Sequence, residues 1–247
     1  MATYRELKYM STKLSYTGNG TGNILNYLPA LTRQYTYMLA NLNPYQSNGE
    51  GERGGQVDIY YSLRNKKDRS QYWNFHANAS MFYSDKAVTK KSRLLWRDIN
   101  GDVERQWNKQ FKTTLLVSVQ EWSPTHGMDD VTYASNIVVL DGLYKFDRKK
   151  SLRAEVQYLY SQDYEKDWVA GLVEFSLAPR WSFSVSDMYN LGTTKVHYYS
   201  GSVSYTQKNT RLQLSYGRNR AGYVCSGGVC RYTPAYTGAN LTLTTSF

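Results

Sequence analysis

A polarity alternation with a period of two, repeated in one segment after another, limits what this chain can fold into more than any other feature of its sequence. In "SQYWNFHANASMFYS" (70–84), Trp73, Phe75, Ala77, Ala79, Met81 and Tyr83 fall on one face, opposite Tyr72, Asn74, His76, Asn78 and Ser80. "SLRAEVQYLY" (151–160) sets Leu152, Ala154, Val156, Tyr158 and Tyr160 against Arg153, Glu155 and Gln157. Trp181, Phe183 and Val185 likewise oppose Ser182, Ser184 and Ser186, and Leu212, Leu214 and Tyr216 oppose Arg211, Gln213 and Ser215. Side chains alternate in this way along an extended strand, so each segment reads as a strand with one apolar and one polar face. The pattern predicts strands near 31–45, 55–64, 70–84, 96–107, 110–122, 131–146, 150–161, 166–177, 181–189, 195–206, 209–219 and 235–247, with a thirteenth near 4–16. The 24 Tyr suit such strands, and no window has helical period.

The connections narrow the fold further. Short turns such as "RNKKDR", "NKQ", "DRKK", "LAPR" and "TQKNT" alternate with longer stretches such as "SDKAVTKKSRLL", "SPTHGMDD", "SQDYEKD" and "NRAGYVCSGGVCRYTP". A soluble sandwich has no reason to keep tight turns at one end and long loops at the other. An outer-membrane barrel does, with short periplasmic turns and longer extracellular loops. The mean hydropathy of −0.62 does not oppose this, because only every second residue of such a strand meets lipid. Tyr and Trp near the segment ends (Trp73, Tyr83, Trp107, Trp122, Tyr158, Tyr160, Trp168, Trp181, Tyr199, Tyr205 and Tyr216) are expected to form the interfacial girdles.

The formal charge of +10 invites a nucleic-acid reading. The cations, however, sit in short runs between alternating segments and no recognised binding motif accompanies them, so no nucleic-acid partner is expected. Cys225 and Cys230 flank a Gly-Gly turn in "CSGGVC", which favours a hairpin disulfide over free thiols. A metal site is disfavoured, since His76, His126 and His197 are scattered without ligand spacing. In "THGMDD" (125–130), His126 stands beside Asp129 and Asp130, where a His with carboxylates activates water in some barrel proteases. No second acidic pair accompanies it, and no enzyme activity or cofactor is expected.

Three stretches carry a family resemblance: "YGRNRAGYVCSGGVCRYTPAYTGANLTLTTSF", "NYLPALTRQYTYMLANLNPYQSNGEGERGGQVDIYY" and "WSFSVSDMYNLG". They resemble an uncharacterised, porin-like outer-membrane barrel family of Bacteroidetes, in which a Cys pair in a Gly-Gly hairpin, then Arg and a Pro-containing segment, precede the closing strand. The resemblance implies a fold and a location, without an established activity or catalytic residues.

Together these readings predict an all-β, antiparallel up-and-down transmembrane β-barrel of about 12–14 strands in the bacterial outer membrane. It forms one domain over 1–247, with 1–30 as a truncated strand plus turn and about twelve strands in 31–247. The N-terminus lacks an apolar signal region, and a thirteenth strand makes the count odd, so a C-terminal portion of a larger barrel is expected. The function expected is a passive porin-like channel for small solutes, or a structural membrane protein. The alternative is a soluble or surface-exposed all-β binding protein outside the membrane. Arg153, Glu155, Gln157, Glu174, Asp187, Arg211 and Gln213 are expected to line the lumen. The final Phe247, sharing a lipid-facing side with Leu243 and Leu241, resembles the C-terminal signal read by the barrel assembly machinery.

Overall fold

The structure, a computed structural model, describes residues 1–8, 13–16, 22–24, 31–48, 51–68, 70–86, 91–226 and 229–246. Its elements are the strands β1 (Ala2–Leu7), β2 (Lys13–Tyr16), β3 (Gly22–Ile24), β4 (Glu52–Arg64), β5 (Tyr72–Ser84), β6 (Leu94–Gln106), β7 (Phe111–Trp122), β8 (Tyr133–Lys145), β9 (Lys150–Ser161), β10 (Trp168–Leu177), β11 (Trp181–Asn190), β12 (His197–Gln207), β13 (Thr210–Asn219), β14 (Gly222–Ser226), β15 (Val229–Thr233) and β16 (Tyr236–Thr245). Twelve of them form one antiparallel up-and-down sheet in the order β1, β4 to β13, β16. The pairs β2–β3 and β14–β15 are separate two-stranded ribbons. The all-β, up-and-down fold expected from the sequence is therefore present, with β1 and β16 as the outermost strands of the described sheet.

Two expected strands change. The twelfth strand of the sheet is β1 and not 31–45, which pairs with no strand. The segment expected at 4–16 divides, its first part joining β4 as β1 and its last part becoming β2 of a separate ribbon.

The loop rhythm holds in space. At one end of the sheet, turns of two to four residues (107–110, 146–149, 178–180 and 208–209) join four strand pairs, and seven residues separate β4 from β5; at the other end the connections run from six residues (162–167 and 191–196) to ten (123–132) and more. Exposed Asp side chains close the turns: Asp147 Oδ1 accepts the backbone N–H groups of Lys149 and Lys150 at 2.6 and 2.9 Å, and Asp68 accepts that of Ser70 at 2.9 Å. Turn geometry of this kind is a reason for Asp that needs no catalysis.

Register sorts every side chain of the wall into one of two faces. Val57, Ile59, Met81, Ile99, Leu115, Val117, Val138, Leu140, Val156, Val173, Val185, Leu214, Leu241 and Leu243 lie on one face and are all exposed. The opposite face carries Asn78, Ser80, Asp98, Asn100, Ser118, Gln120, Ser135, Glu155 and Gln157, all buried. A soluble sheet protein hides its apolar face, and this one shows it. The polar face is covered instead, by residues 31–48.

Candidate functional site: a segment laid across the inner face

In the stretch "LTRQYTYML", residues 33–36 run without a turn before the chain bends at Tyr37, and the side chains of Arg33, Tyr35 and Tyr37 all reach the same surface. Arg33 donates to Asn100 Oδ1 at 2.8 Å and pairs with Asp102 at 2.5 Å, both on β6. The Tyr35 hydroxyl donates to Asp98 at 2.7 Å and lies 3.3 Å from the Ser118 hydroxyl of β7. Tyr37 donates to Asp141 of β8 at 3.1 Å, and the Leu39 N–H donates to Gln157 of β9 at 2.8 Å. The partners thus fall on β6, β7, β8 and β9 in turn, so 33–39 crosses four strands, about 14 Å at about 4.8 Å spacing. The alternation that predicted a strand here is real. Its partners are side chains of the wall, not the backbone of a neighbour.

From Tyr37 the chain turns, with Asn41 N–H on Tyr37 O at 3.1 Å and Leu42 N–H on Leu39 O at 3.3 Å. Gln120 of β7 donates to Ala40 O at 3.0 Å. The return ends at β4, where Glu52, fully buried, accepts the Tyr45 hydroxyl, the Asn48 N–H at 2.6 Å and Arg5 at 2.6 Å. Tyr45 stacks on Phe82 and Trp96, with ring centroids 5.1 and 5.7 Å apart. Gly54 lets β4 lie against β5 here, because a Cβ there would fall 2.1 Å from Met81 O and 2.6 Å from the Phe82 ring.

Apolar contacts complete the seal. Tyr37, Leu39, Ala40 and Leu42 are buried with Leu116, Ile137, Val139, Leu159, Trp168 and Ala170, which come from β7, β8, β9 and β10. Met188 of β11 and Tyr198 of β12 pack against the same cluster. The segment contacts side chains from β4 to β9 directly, and one apolar cluster joins it to β10, β11 and β12, so the sheet curls around it as a wall around a filling.

Between this segment and the turn end lies a cavity of about 760 Å³, lined by Arg33, Asp58, Tyr60, His76, Asp102 and Glu104 among others. His76 sits between two carboxylates, Nε2 at 3.1 Å from Asp58 and Nδ1 at 3.0 Å from Asp102. Tyr60 stacks parallel on its ring at 4.1 Å. Glu104 is held by Lys112 at 2.7 Å and by Asn74 at 3.1 Å. The floor is thus a charged, hydrogen-bonded network with most charges paired. The sequence excludes His76 only as a metal ligand, for want of ligand spacing. Its partners lie on β4 and β6 and meet it only through strand register.

The expected lumen residues divide. Arg153, Glu155 and Gln157 face inward as one chain of contacts: Arg153 bonds Asp141 at 2.9 Å and Glu155 at 2.6 Å, and Gln157 donates to Glu155 at 2.9 Å. Glu174, opposite Arg153 in register, and Gln213 and Arg211, opposite Ser204 and Thr206, share that face. Asp187 does not. Its register with Gly171 puts it on the face of Val185 and Phe183, where it pairs with His197 at 2.6 Å. Two girdle candidates also turn inward: Trp168 is fully buried in the inner cluster and Trp122 packs beside Trp96, because both lie on the inward parity of their strands. The loop residues Asp129 and Asp130 hold the loop itself, accepting from the Thr125 hydroxyl at 2.7 Å and from Arg93 at 2.6 Å.

The backbones of Cys225 and Cys230 lie opposite one another in β14–β15, and their side chains lie outside the described ones. Leu241 and Leu243 are exposed on the outer face, 66% each. Phe247 lies outside the described residues.

The model of a family of unknown function, DUF6029, matches residues 1–247. The chain belongs to that family. No curated protein matches this DUF6029 member. Among solved structures it is similar to the KdgM porin in complex with disordered oligogalacturonate, at 10% identity and a TM-score of 0.34, covering 80% of this chain and 92% of that one. The KdgM porin alone gives 13% identity, a TM-score of 0.33 and the same coverage. A mutant of the Rh. blastica porin gives 8% identity and a TM-score of 0.28, over 68% and 85% of the two chains.

Proposed function

We propose that this DUF6029 member is a porin-like β-barrel of the bacterial outer membrane, acting as a passive conduit for small solutes with residues 31–48 narrowing its lumen. The observation that carries this reading is the inverted polarity of the sheet: aliphatic side chains stay exposed on the outside while hydrogen-bonded polar groups are buried within. A bilayer is the environment that stabilises that arrangement, supplying an apolar medium outside while the wall and its inserted segment satisfy the polar groups inside. Short turns at one end and long loops at the other support the same reading. The soluble binding protein is disfavoured, since it would leave Leu140 and Val156, register partners 56% and 62% exposed, in water side by side.

In this reading the barrel is one domain, its Bacteroidetes kinship rests on the sequence resemblance, and its chemistry is selection by charge, not turnover. Arg153, Glu155, Gln157, Glu174, Arg211 and Gln213 contribute to the inner field. The last strand is the part read by the assembly machinery, with Leu241 and Leu243 on its lipid side.

Detergent-folded protein is expected to migrate faster unboiled than boiled. After reconstitution in planar bilayers, deleting 33–43 is expected to raise single-channel conductance several-fold. An unshifted band, or a detergent-free soluble monomer, overturns the membrane reading. Equal conductance with and without the segment overturns its role in the lumen.

A further inference from the structure

The inner face of the sheet is built from two halves of different chemistry. At one height of the wall, register aligns Glu155, Asp141 and Glu104 of β9, β8 and β6. The same row continues through Leu172 of β10 into Ser186, Ser200, Gly217 and Gly238 of β11, β12, β13 and β16, the two glycines adding no side chain to it. The next row towards the turns begins at Glu174 and runs through Ser184, Ser202, Ser215 and Asn240. Among the described residues, the one charged side chain on the inward parity of β11, β12, β13 and β16 is Arg211, at the turn end.

The halves also differ in what occupies their polar groups. On the charged half Asp98, Asp102 and Asp141 accept from Tyr35, Arg33 and Tyr37 of the inserted segment, and Glu155 accepts from Arg153 and Gln157. On the hydroxyl half Ser184 and Ser202 bond each other at 2.8 Å, while Ser186, Ser200, Gln213 and Ser215 have no side-chain partner among the described residues. The apolar cluster that seals the segment reaches no further than Met188 and Tyr198, near the loop end of β11 and β12. Ser118, Gln120 and Gln157 under the segment are at most 3% exposed, whereas Asn240 and Thr242 on the hydroxyl half are exposed.

An uncovered, uncharged surface with unused donors and acceptors suits one kind of traveller. Each hydroxyl offers one donor and two acceptor lone pairs, so a row of them replaces water stripped from a solute's own hydroxyls. An ion entering the same row loses hydration without meeting a counter-charge. From this arrangement we infer that solutes pass along the inner faces of β11, β12, β13 and β16, and that this passage favours uncharged polyhydroxy solutes of sugar or polyol size over ions. The inference rests on the conduit reading above and adds a path and a solute class to it. The charges of the other half are paired, so they add little net field along this path until one partner is removed.

The test uses the full chain, folded in detergent, verified by its heat-dependent migration, and reconstituted into vesicles and planar bilayers. Uptake of glucose is compared with that of gluconate and glucosamine, which are of similar size and carry opposite charges. Glucose is expected to enter at least about threefold faster than either ion. Ser202→Cys and Asn240→Cys, treated with a hydrophilic methanethiosulfonate, are expected to lose at least about half of their conductance. Ser118→Cys under the segment, and the wild type with its own Cys pair, are expected to lose none. Ser202→Asp is expected to slow gluconate and to speed glucosamine. Ions that enter as fast as glucose, unchanged conductance in both modified variants, or block of Ser118→Cys alone overturns the inference. If Ser202→Cys fails the migration check, Ser184→Cys takes its place under the same criteria. A heat-modifiable barrel with neither conductance nor uptake removes the conduit reading itself, an outcome distinct from a conducting barrel whose path lies elsewhere.

Discussion

Val156 gives the sharpest measurement of what surrounds the sheet. It is central in β9 on the outer face, is 62% exposed, and stands in register with Leu140 on one side and Gly171 on the other. If the outer face meets lipid, Val156→Arg places a cation near the bilayer midplane, at a cost of about 2–4 kcal/mol. That is about a 30- to 900-fold shift in the folding equilibrium. If the outer face meets water, the same change replaces an exposed Val on a soluble sheet, and the effect lies within about 0.5 kcal/mol. Leu152→Arg provides the internal scale. It lies on the same face four residues nearer the turn end, about 13 Å along the strand, where the lipid penalty falls to about 0–1 kcal/mol. Reversible denaturant unfolding from phospholipid vesicles, followed by tryptophan emission, measures all three proteins under one condition. The expected order is wild type, then Leu152→Arg slightly below it, then Val156→Arg well below both. Two arginine variants of equal stability, or a Val156→Arg protein as stable as wild type, refute the lipid-facing assignment however well the barrel shape holds.

Gln157→Leu removes the acceptor of the buried Leu39 N–H and the donor to Glu155; a loss of about 1–3 kcal/mol is expected, with faster proteolysis within 31–48 as the readout. Arg33→Gln takes the cation from beside Asp102 in the large cavity, so reversal potentials in a salt gradient are expected to move towards cation selectivity. The Thr125 hydroxyl, and then the Val131 N–H, hold the Asp129 carboxyl below its ordinary range. A depressed carboxyl stabilises above its unfolded value and loses that contribution as pH falls through the folded one. Loop 123–132 is therefore expected to resist protease at pH 5 and to loosen below about pH 4, and Asp129→Asn to abolish the pH dependence.

Strand, face and loop end were legible because each depends on local spacing. A period of two says that a side chain points the opposite way from its neighbour, and from 70 to 219 that rule placed almost every residue on the face it occupies. Asp187 obeys the same rule: it has the parity of Val185 and Phe183 and belongs outside on spacing alone, although its charge suggests the lumen. The girdle set went wrong at Trp122 and Trp168 for a related reason: an aromatic near a strand end faces lipid on one parity and fills the interior on the other.

Residues 31–48 mark where local spacing stops deciding. Alternation in "TRQYTY" puts Arg33, Tyr35 and Tyr37 on one side, and such a segment satisfies its groups either on a neighbouring backbone or on side chains that face it. Which one occurs depends on whether the wall presents Asp98, Asp141 and Gln157 at the right height, and those residues lie 63, 104 and 118 positions away. The same holds for His76 between Asp58 and Asp102. The sequence alone therefore determined the sheet, its two faces and the end to which each loop belongs, because these follow from neighbours two residues apart. The tertiary structure alone decided what fills the interior and which charges meet, because those contacts join residues brought together only by strand register and the curl of the wall.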